Sequence, residues 1–371
     1  MAERHAANAG AFHDELSMDF TNPTITVREG EEIDATRVDA FLRERIPGLE
    51  GEMKVLQFPN GASNLTYLLV FGDRELVLRR PPHGTKAKSA HDMSREYRVL
   101  SGVKKAYPHV PEVLLYTDDE SIIGSEFYIT KRVLGNLVLR EFPPEWGFSP
   151  DHCRKFCLRF LDRLIELHQV DYRAVELENL GKPQGYATRQ ILGWNKRYVN
   201  ARTDDAPDCE EVRTWLEERI PSESRACIIH GDFRIDNLLV DPHDPFNIVA
   251  VLDWDMCTRG DPLMDLGQML TYWAQSDDDP RWHDRMGTPS WEPGFPTRAD
   301  IIERYATGTG QDLDDWRWYF AFGIFKLIVV LQQIYIRFLR GQTRDERFAH
   351  FGERIRAMVD KGIAVTEGRL S

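Results

Sequence analysis

The sequence has few cysteines, and they are not arranged as disulfide-bonded or zinc-binding cysteines usually are. Its 371 residues contain five cysteines, an odd number, with no CxxC pair among them. Cys153 and Cys157 lie one helical turn apart, but no histidine or second cysteine pair accompanies them at a zinc-ligand spacing. We therefore expect free, largely buried thiols, and the same expectation covers Cys209, Cys227 and Cys257.

Long apolar runs are also missing. Residues 1–10 are polar and rich in alanine, without the apolar core of a signal peptide, so a cytoplasmic location is expected. The strongest apolar run, from Tyr319 to Leu331, is interrupted by Lys326 and followed by Gln332 and Gln333. Because a membrane span needs about 20 apolar residues, we expect a buried helix of a soluble domain here, and no membrane partner.

Positive charge is in deficit. Lys and Arg total 47 against 60 Asp and Glu, which gives a formal net charge of -13. Nucleic-acid binding depends on cationic side chains that neutralise the phosphate backbone, so we expect no nucleic-acid partner. The net charge does not identify a substrate, because a local site can hold a charged ligand whatever the sign of the net charge of the protein.

The periodicity of apolar residues divides the chain into a sheet-rich part and a larger helical part. Strand-like segments are followed by helical spacing from Phe156 onward, and the segments are 54–58, 65–71, 76–80, 113–116 and 126–133. A helical pattern also covers 89–103. We expect an α+β fold with a lead-in at 1–32, a sheet-containing N-terminal lobe at 33–132 and a helical C-terminal lobe at 133–371.

The most informative stretch is a predicted hairpin. Two short apolar strands, Leu238–Val240 and 248–252, flank a turn that contains Pro and Asp. Because antiparallel pairing brings the outer ends of a hairpin together, Asn237 and Asp253 should lie side by side. Asp232 lies on the loop that leads into the first strand. Three oxygen-bearing side chains are therefore expected at one end of the hairpin.

This constellation suits phosphoryl transfer. A carboxylate can accept the proton of a hydroxyl while hard oxygen ligands hold Mg²⁺ on the phosphates of ATP. Asp232 would be the catalytic base, and Asn237 and Asp253 the metal ligands. Protein kinases place an Asn five residues after the loop Asp, followed by a later metal-binding Asp, and Asp232 and Asn237 have the same spacing. A metal-dependent hydrolase built on the same side chains remains an alternative.

The motif that runs from His230-Gly-Asp to Asn237, followed by Leu-Asp-Trp-Asp at 252–255, resembles the aminoglycoside phosphotransferase and choline kinase superfamily. Other motifs resemble the branch found as a domain fused to some acyl-CoA dehydrogenases, and they cover 77–82, 89–97, 260–267 and 294–297. The resemblance implies a two-lobed, protein kinase-like fold. Its N-lobe would bind the nucleotide, and its C-lobe would carry the catalytic loop and the acceptor pocket.

The resemblance also implies roles for individual residues. It assigns the base to Asp232 and the Mg²⁺ ligands to Asn237 and Asp253. It further implies ATP contacts from a phosphate-binding arginine, its acidic partner and the hinge backbone, which are Arg79, Glu96 and Lys131 to Val133. Apart from the resemblance, the side chains and backbone donors of Ser63 and Asn64 are expected to cover the phosphates. Two features depart from the kinase pattern. Arg79 stands where protein kinases have a lysine, and the phosphate loop has only Gly61, so there is no GxGxxG motif.

Several other conspicuous residues have structural interpretations. His230 precedes a Gly-Asp loop and is expected to brace it by hydrogen bonding. Asp261 before Pro262 reads as a helix cap, whereas the role of Asp265 stays open. Residues 277–279, three aspartates before a proline, are expected to form a solvated loop. Trp273 is as compatible with an acceptor pocket as with a core position.

The leading hypothesis is a Mg-ATP-dependent kinase that acts on a hydroxyl of a small-molecule acceptor. Only seven residues separate Asp253 from Asp261, too few for the activation segment of a protein kinase. A nucleotide-binding pseudokinase is an alternative, motivated by Arg79 and the glycine-poor loop. The resemblance to the dehydrogenase-linked branch implies a hydroxylated acyl acceptor, and the wider superfamily includes aminoglycoside and choline kinases. The sequence does not indicate an oligomeric state.

Overall fold

A computed structural model describes residues 22–59, 64–82, 92–139, 141–222, 225–283, 290–343 and 346–370. The strands are β1 (Met53–Gln57), β2 (Leu65–Phe71), β3 (Arg74–Arg80), β4 (Val113–Thr117), β5 (Phe127–Lys131), β6 (Asn136–Leu137), β7 (Cys227–Ile229), β8 (Leu238–Val240), β9 (Ile248–Val251) and β10 (Thr258–Gly260). The helices are α1 (Ala35–Arg45), α2 (Met93–Val103), α3 (Glu120–Ile123), α4 (Pro150–Gln169), α5 (Tyr186–Ala201), α6 (Glu210–Glu218), α7 (Pro262–Thr271), α8 (Arg298–Thr309), α9 (Trp316–Leu339) and α10 (Phe351–Thr366).

The N-terminal part is built on an antiparallel sheet, which within the described residues has five strands in the order β1-β2-β3-β5-β4. Alternate residues of paired strands share a face, so that Tyr67 pairs with Leu78 and Leu69 with Leu76, all of them buried. Helix α1 packs on this face and contributes Val38 to the same apolar cluster. Helix α2 packs against β4 and β5.

The C-terminal part is mainly helical. Helix α4 begins with a capping box at Ser149 and Pro150 at its first position, and it buries Phe156, Phe160 and Leu164 at helical spacing. The short strands form two small antiparallel sheets within the described residues, β6-β8-β9 and β10-β7. The predicted hairpin is confirmed as β8 and β9, with Leu238 opposite Val251. The architecture is the two-lobed α+β fold that the sequence predicts.

Helix α9 lies at the centre of the C-terminal part. It packs against α5, α7 and α10. By length and composition it could span a membrane, but 67% of its most apolar window is buried inside the protein. Burial of this kind is typical of the core helix of a soluble protein and agrees with the expectation from Lys326. All five cysteines are free thiols and buried, as predicted.

One expectation from the sequence is wrong. The acidic run at 277–279 is not simply a solvated loop, because Asp278 is buried and forms a two-pronged ion pair with Arg298. The Nη2 to Oδ1 distance is 2.7 Å. Arg298 is the first residue of α8, which Thr297 caps, so the partner comes from a distant segment that a local charge pattern could not reveal. Asp277 is exposed, as expected.

The contact between α7 and α9 depends on two glycines. A Cβ atom at Gly323 would lie 2.2 Å from the Thr271 Oγ1 atom and 2.7 Å from the Gly267 carbonyl oxygen. Real Cβ atoms do not approach other heavy atoms so closely, so the backbones of the two helices can meet only because both positions lack a side chain.

We expect Gly323→Ala to lower the free energy of unfolding by about 1–3 kcal/mol, because the added methyl group overpacks this crossing. Gly193→Ala is the matched control: Gly193 lies inside α5 with no atom within 4 Å of its would-be Cβ, and alanine there should stabilise by up to about 1 kcal/mol. Urea denaturation of both variants measures these changes. Equal stabilities for the two variants would contradict the close crossing.

Candidate active site

The loop between β7 and β8 carries Asp232 and is shaped by its neighbours. Gly231 has a φ of 86°, and a Cβ there would lie 2.9 Å from the backbone oxygen of Met256, so only glycine fits. The chain then forms a 3₁₀ turn that ends at Asn237. The Asn237 Nδ2 atom lies 2.9 Å from the backbone oxygen of Asp232 and 3.2 Å from its carboxylate Oδ2 atom.

Asp253 follows β9 in a conformation that is unusual for a residue with a side chain. Its φ and ψ are both 65°, in the left-handed region. Among the described non-glycine residues, only Glu176 shares a positive φ. Such backbone strain persists where the surroundings enforce it, and it clusters at functional sites. The N–H of Leu252 donates to the carbonyl of Asn237 at 2.8 Å, so the structure brings Asp232, Asn237 and Asp253 to one end of the hairpin.

Arg79 connects this hairpin to the N-terminal sheet and helix. Its Nη2 atom lies 2.6 Å from the Asp253 Oδ1 atom, and its Nε atom lies 3.4 Å from the Glu96 Oε2 atom. Burial alone would lower the pKa of Arg79, but the carboxylates of Glu96 and Asp253 outweigh it and raise that pKa. The guanidinium therefore stays charged between two acidic side chains.

A cavity of about 160 Å³ lies between the sheet and the hairpin. Four of the predicted nucleotide-contacting residues line it, together with Asp253 and several apolar side chains; the four are Arg79, Glu96, Lys131 and Val133. Val77 contributes an apolar wall from the sheet, and Leu239 and Leu252 contribute one from the hairpin. Apolar walls from both sides of the cavity suit a planar ring.

The backbone of the predicted hinge segment, residues 131–133, differs from residue to residue in its hydrogen bonding. The Lys131 N–H donates to the Glu112 carbonyl at 2.9 Å, and the Arg132 N–H donates to the Glu75 carbonyl at 3.2 Å. The Val133 N–H, by contrast, has no hydrogen-bond partner in the part of the chain that the structure describes. Of the predicted hinge segment, Val133 is therefore the residue best placed to donate to a ligand.

The predicted phosphate loop lies partly outside the described residues. Ser63 lies outside the described residues. Asn64 is buried at 5% exposure, just before β2, and it is not among the described residues that line the cavity. The assignment of these two residues to the phosphates remains a prediction.

The loop around Asp232 is braced by a buried network that the sequence revealed only in part. His230 Nδ1 accepts from the Asp232 N–H at 3.3 Å, and Nε2 lies 3.0 Å from the Leu252 carbonyl oxygen. An Nε2–H tautomer satisfies both contacts, so the ring is fully used in bracing, as predicted. Asp261 caps α7 by accepting from the Leu263 N–H at 3.0 Å.

Asp265, whose role the sequence left open, is the centre of this network. Its carboxylate accepts from the N–H groups of His230 at 2.5 Å and Gly231 at 2.7 Å. His168 lies 3.3 Å away. Burial alone would raise the pKa of Asp265, but the hydrogen bond and charge of His168 outweigh it and lower that pKa. No local motif predicted this role, because His168 is distant in sequence.

Other residues near the loop were not singled out by the sequence. Arg234 pairs with Asp236, with Nε 2.8 Å from Oδ1, and its guanidinium carbon lies 4.2 Å from the centre of the Tyr272 ring. Burial and the neighbouring Asp253 carboxylate raise the pKa of Asp255 to about 7. Trp273, by contrast, is a core residue at 2% exposure, and its indole N–H donates to the Pro296 carbonyl.

The site offers hard oxygen ligands to a metal ion, but few of them. Within the described ranges, no group of three or more His, Cys, Asp or Glu side chains is arranged to hold a metal. The Asn237 amide nitrogen donates to the Asp232 backbone and carboxylate oxygens, so the amide oxygen of Asn237 is left for another partner. One carboxylate and one amide oxygen fit Mg²⁺, which usually completes its shell with phosphates and water.

Comparison with known proteins shows which protein family the sequence matches. The sequence pattern of the phosphotransferase enzyme family matches residues 54–318. The chain is 34% identical over 312 residues to acyl-CoA dehydrogenase family member 10 of Mus musculus, covering 84% of the chain and 29% of that protein. It is 30% identical over 363 residues to family member 11 of Rattus norvegicus, covering 96% of the chain and 46% of that protein. The chain thus spans less than half the length of both relatives.

A solved structure shows the same fold. The crystal structure of a candidate aminoglycoside phosphotransferase from Ralstonia eutropha superposes with a TM-score of 0.78 at 30% identity. The match covers 91% of this chain and 99% of that one. The two-lobed fold, the hairpin and the helical C-terminal part therefore belong to one established architecture.

We expect Asp265→Asn to destabilise the loop, because an amide oxygen cannot replace both carboxylate acceptors and leaves a buried N–H without a partner, at about 1–3 kcal/mol. The lowered pKa of Asp265 means that its contribution is present above the unfolded pKa of about 4 and is lost as the pH falls through the folded pKa. Thermal unfolding across the acidic range should therefore show a weaker pH dependence for the variant. Asp277→Asn, at an exposed position, should behave as the unmodified chain.

Proposed function

The chain belongs to the phosphotransferase enzyme family, and from this membership and the geometry of the site we propose that it transfers the terminal phosphate of Mg-ATP to a hydroxyl of a small-molecule acceptor. The observation that carries the proposal is the convergence of Asp232, Asn237 and Asp253 at one end of the hairpin, beside the cavity lined by Arg79. Residues 33–132 would form the nucleotide-binding lobe, and residues 133–371 would hold the acceptor.

In the proposed reaction, Asp232 accepts the proton of the acceptor hydroxyl. The hydroxyl oxygen forms a bond to the γ-phosphorus, and the bond from that phosphorus to the bridging oxygen breaks, so that ADP leaves. The contact from Asn237 Nδ2 to the Asp232 carboxylate holds the base in place. Bound Mg²⁺ would neutralise the phosphate oxygens, held by the Asn237 amide oxygen and the Asp253 carboxylate.

Arg79 would serve the phosphates as well as the fold. Its guanidinium is already aimed at the metal-ligand position by the 2.6 Å contact with Asp253, and Glu96 supports it from behind. A planar fork of donors suits phosphate oxygens. Val133, with its available N–H, would hold the planar base of the nucleotide. The ion pair of Arg79 with Glu96 corresponds to the pair that supports the phosphate-binding cation of kinases, which favours a kinase over a pseudokinase.

The acceptor itself follows from neither the fold nor the family. The two relatives named for acyl-CoA dehydrogenases favour a hydroxylated acyl compound, and the Ralstonia structure favours an aminoglycoside. Incubating the protein with labelled ATP and a cell metabolite extract, and then identifying labelled products by mass spectrometry, tests the proposed activity without a prior choice of acceptor. A metal-dependent hydrolase would instead cleave phosphate esters in the absence of ATP.

We expect Asp232→Ala to lower the transfer of label by at least ~10², the usual worth of a general base, while nucleotide affinity stays within about twofold. The matched control is Asp277→Ala, which removes an exposed carboxylate and should leave transfer unchanged. Near-normal transfer by the Asp232 variant would remove this residue from its assigned role.

We expect Asp253→Ala to weaken ATP binding in the presence of Mg²⁺ but to change it little when Mg²⁺ is chelated, because the lost carboxylate acts through the metal. Isothermal titration calorimetry under both conditions measures the difference. Asp253→Asn, whose side chain tolerates the left-handed backbone, separates the loss of charge from added strain. An Mg²⁺ dependence equal to that of the unmodified chain in both variants would contradict a metal-binding role.

A further inference from the structure

A cation on α9 stands beside the loop that carries Asp232, and a second cation, the exposed Arg197 of α5, shares an aromatic neighbour with it. The Lys326 Nζ atom, in the middle of α9, lies 3.2 Å from the carbonyl oxygen of Gly231. The same Nζ atom lies 5.8 Å from the centre of the Trp194 ring. The guanidinium carbon of Arg197 lies 4.4 Å from the centre of the same ring. Trp194 and Arg197 belong to α5. Two like charges are thus held against one indole ring.

Neither cation forms a direct ion pair with a carboxylate of the described residues, although Asp232 and Asp265 act on Lys326 from a greater distance. Within the described residues, no carboxylate oxygen lies within 4.0 Å of the Lys326 or the Arg197 nitrogens. Arg79 and Arg298, in contrast, are paired directly with carboxylates. The Lys326 ammonium has three N–H donors, and its one hydrogen bond in the described part of the chain goes to Gly231.

Placing the Lys326 ammonium among the apolar residues of α9 has a desolvation cost. Burial lowers the pKa of Lys326, the carboxylates of Asp232 and Asp265 raise it, and the charge of Arg197 lowers it further. Its neighbours in the helix, Phe325 and Ile328, are fully buried and apolar, so methionine would fill this position without the desolvation cost of an ammonium. A charge kept at such a place calls for a functional reason.

The position of Lys326 and Arg197 relative to the nucleotide cavity indicates which of the two substrates they contact. Lys326, Arg197 and Trp194 are not among the described residues that line the cavity assigned to the nucleotide. Lys326 nevertheless contacts the residue directly before Asp232, the proposed base. Lys326 therefore lies beside the proposed base but outside the described lining of the nucleotide cavity, and Arg197 shares the Trp194 ring with it. Cations in this place are available to a part of the acceptor that extends away from the nucleotide.

We propose that Lys326 and Arg197 bind an anionic group of the acceptor, so that the substrate is a hydroxyl compound that also carries a carboxylate or a phosphate. This inference rests on the proposed phosphotransfer and narrows its substrate class. An anion between the two side chains relieves their mutual repulsion and uses the donors that Lys326 leaves free. The same two charges repel polycationic aminoglycosides and the quaternary ammonium of choline.

The first test identifies what the protein phosphorylates. Labelled ATP and Mg²⁺ are incubated with a cell metabolite extract and the unmodified chain, Lys326→Met, Arg197→Met or Lys196→Met. Lys196 is exposed and adjacent to Arg197, so its variant is the control. We expect the labelled products to derive from anionic acceptors. The KM for the identified acceptor should rise about 10- to 100-fold in the first two variants, as expected for losing a charged hydrogen bond, with the KM for ATP unchanged.

The second test needs no turnover. Acetate and inorganic phosphate are titrated calorimetrically into protein loaded with Mg²⁺ and a non-hydrolysable ATP analogue, which fills the nucleotide site. We expect binding of at least one of the two anions to the unmodified chain and to Lys196→Met, and its loss in Lys326→Met and Arg197→Met. Preference for acetate or for phosphate identifies the anionic group. Lys326→Met should also melt at a higher temperature, which shows that the loss is not caused by unfolding.

Three outcomes overturn the inference. One is a main product that derives from a neutral or cationic acceptor, and another is anion binding that is absent or unaffected by both variants. The third is an equal fall in kcat for every acceptor in Lys326→Met without a change in KM, which would assign Lys326 to the support of the loop alone. The proposed function survives all three. It fails separately if no label is transferred to any metabolite while Mg-ATP still binds.

Discussion

The ion pair network around Arg79 is the interaction on which the rest of the site depends. One guanidinium contacts Glu96 from α2 and Asp253 from the hairpin, so it joins the sheet, the helix and the end of β9 in a single point. Because the group is buried and charged, removing either carboxylate would leave an uncompensated charge. Any ligand that enters the cavity meets this preassembled point rather than three separate side chains.

The loop that carries Asp232 is held in place by the helical C-terminal part. Asp265 on α7 holds two consecutive backbone N–H groups before Asp232, and His230 bridges the same loop to the end of β9. Hydrogen bonds to a buried carboxylate are stronger than those between neutral groups. The proposed base therefore lies on a loop whose backbone is fixed by the helical part, while Arg79, which contacts Asp253, is held by the sheet.

The sequence predicted the fold class, the hairpin and the convergence of its end residues, because these depend on local alternation and on motif spacing. It could not predict the brace at Asp265 or the ion pair between Asp278 and Arg298, since both depend on residues far apart in the chain. Lys326 was visible only as an interruption of an apolar run. Its neighbours Arg197 and Trp194 lie more than a hundred residues earlier, so periodicity alone could not bring the three together.

The close contact of α7 and α9 at their glycines positions both Asp265 and Lys326. Asp265 lies on α7 near Gly267, and Lys326 lies on α9 near Gly323, so each helix delivers one functional side chain within a turn of the contact point. Since the backbones interlock there, neither helix can slide along the other to adapt to a differently shaped acceptor. We therefore expect differences in acceptor to be accommodated by changes of side chains around this crossing and not by a shift of the helices.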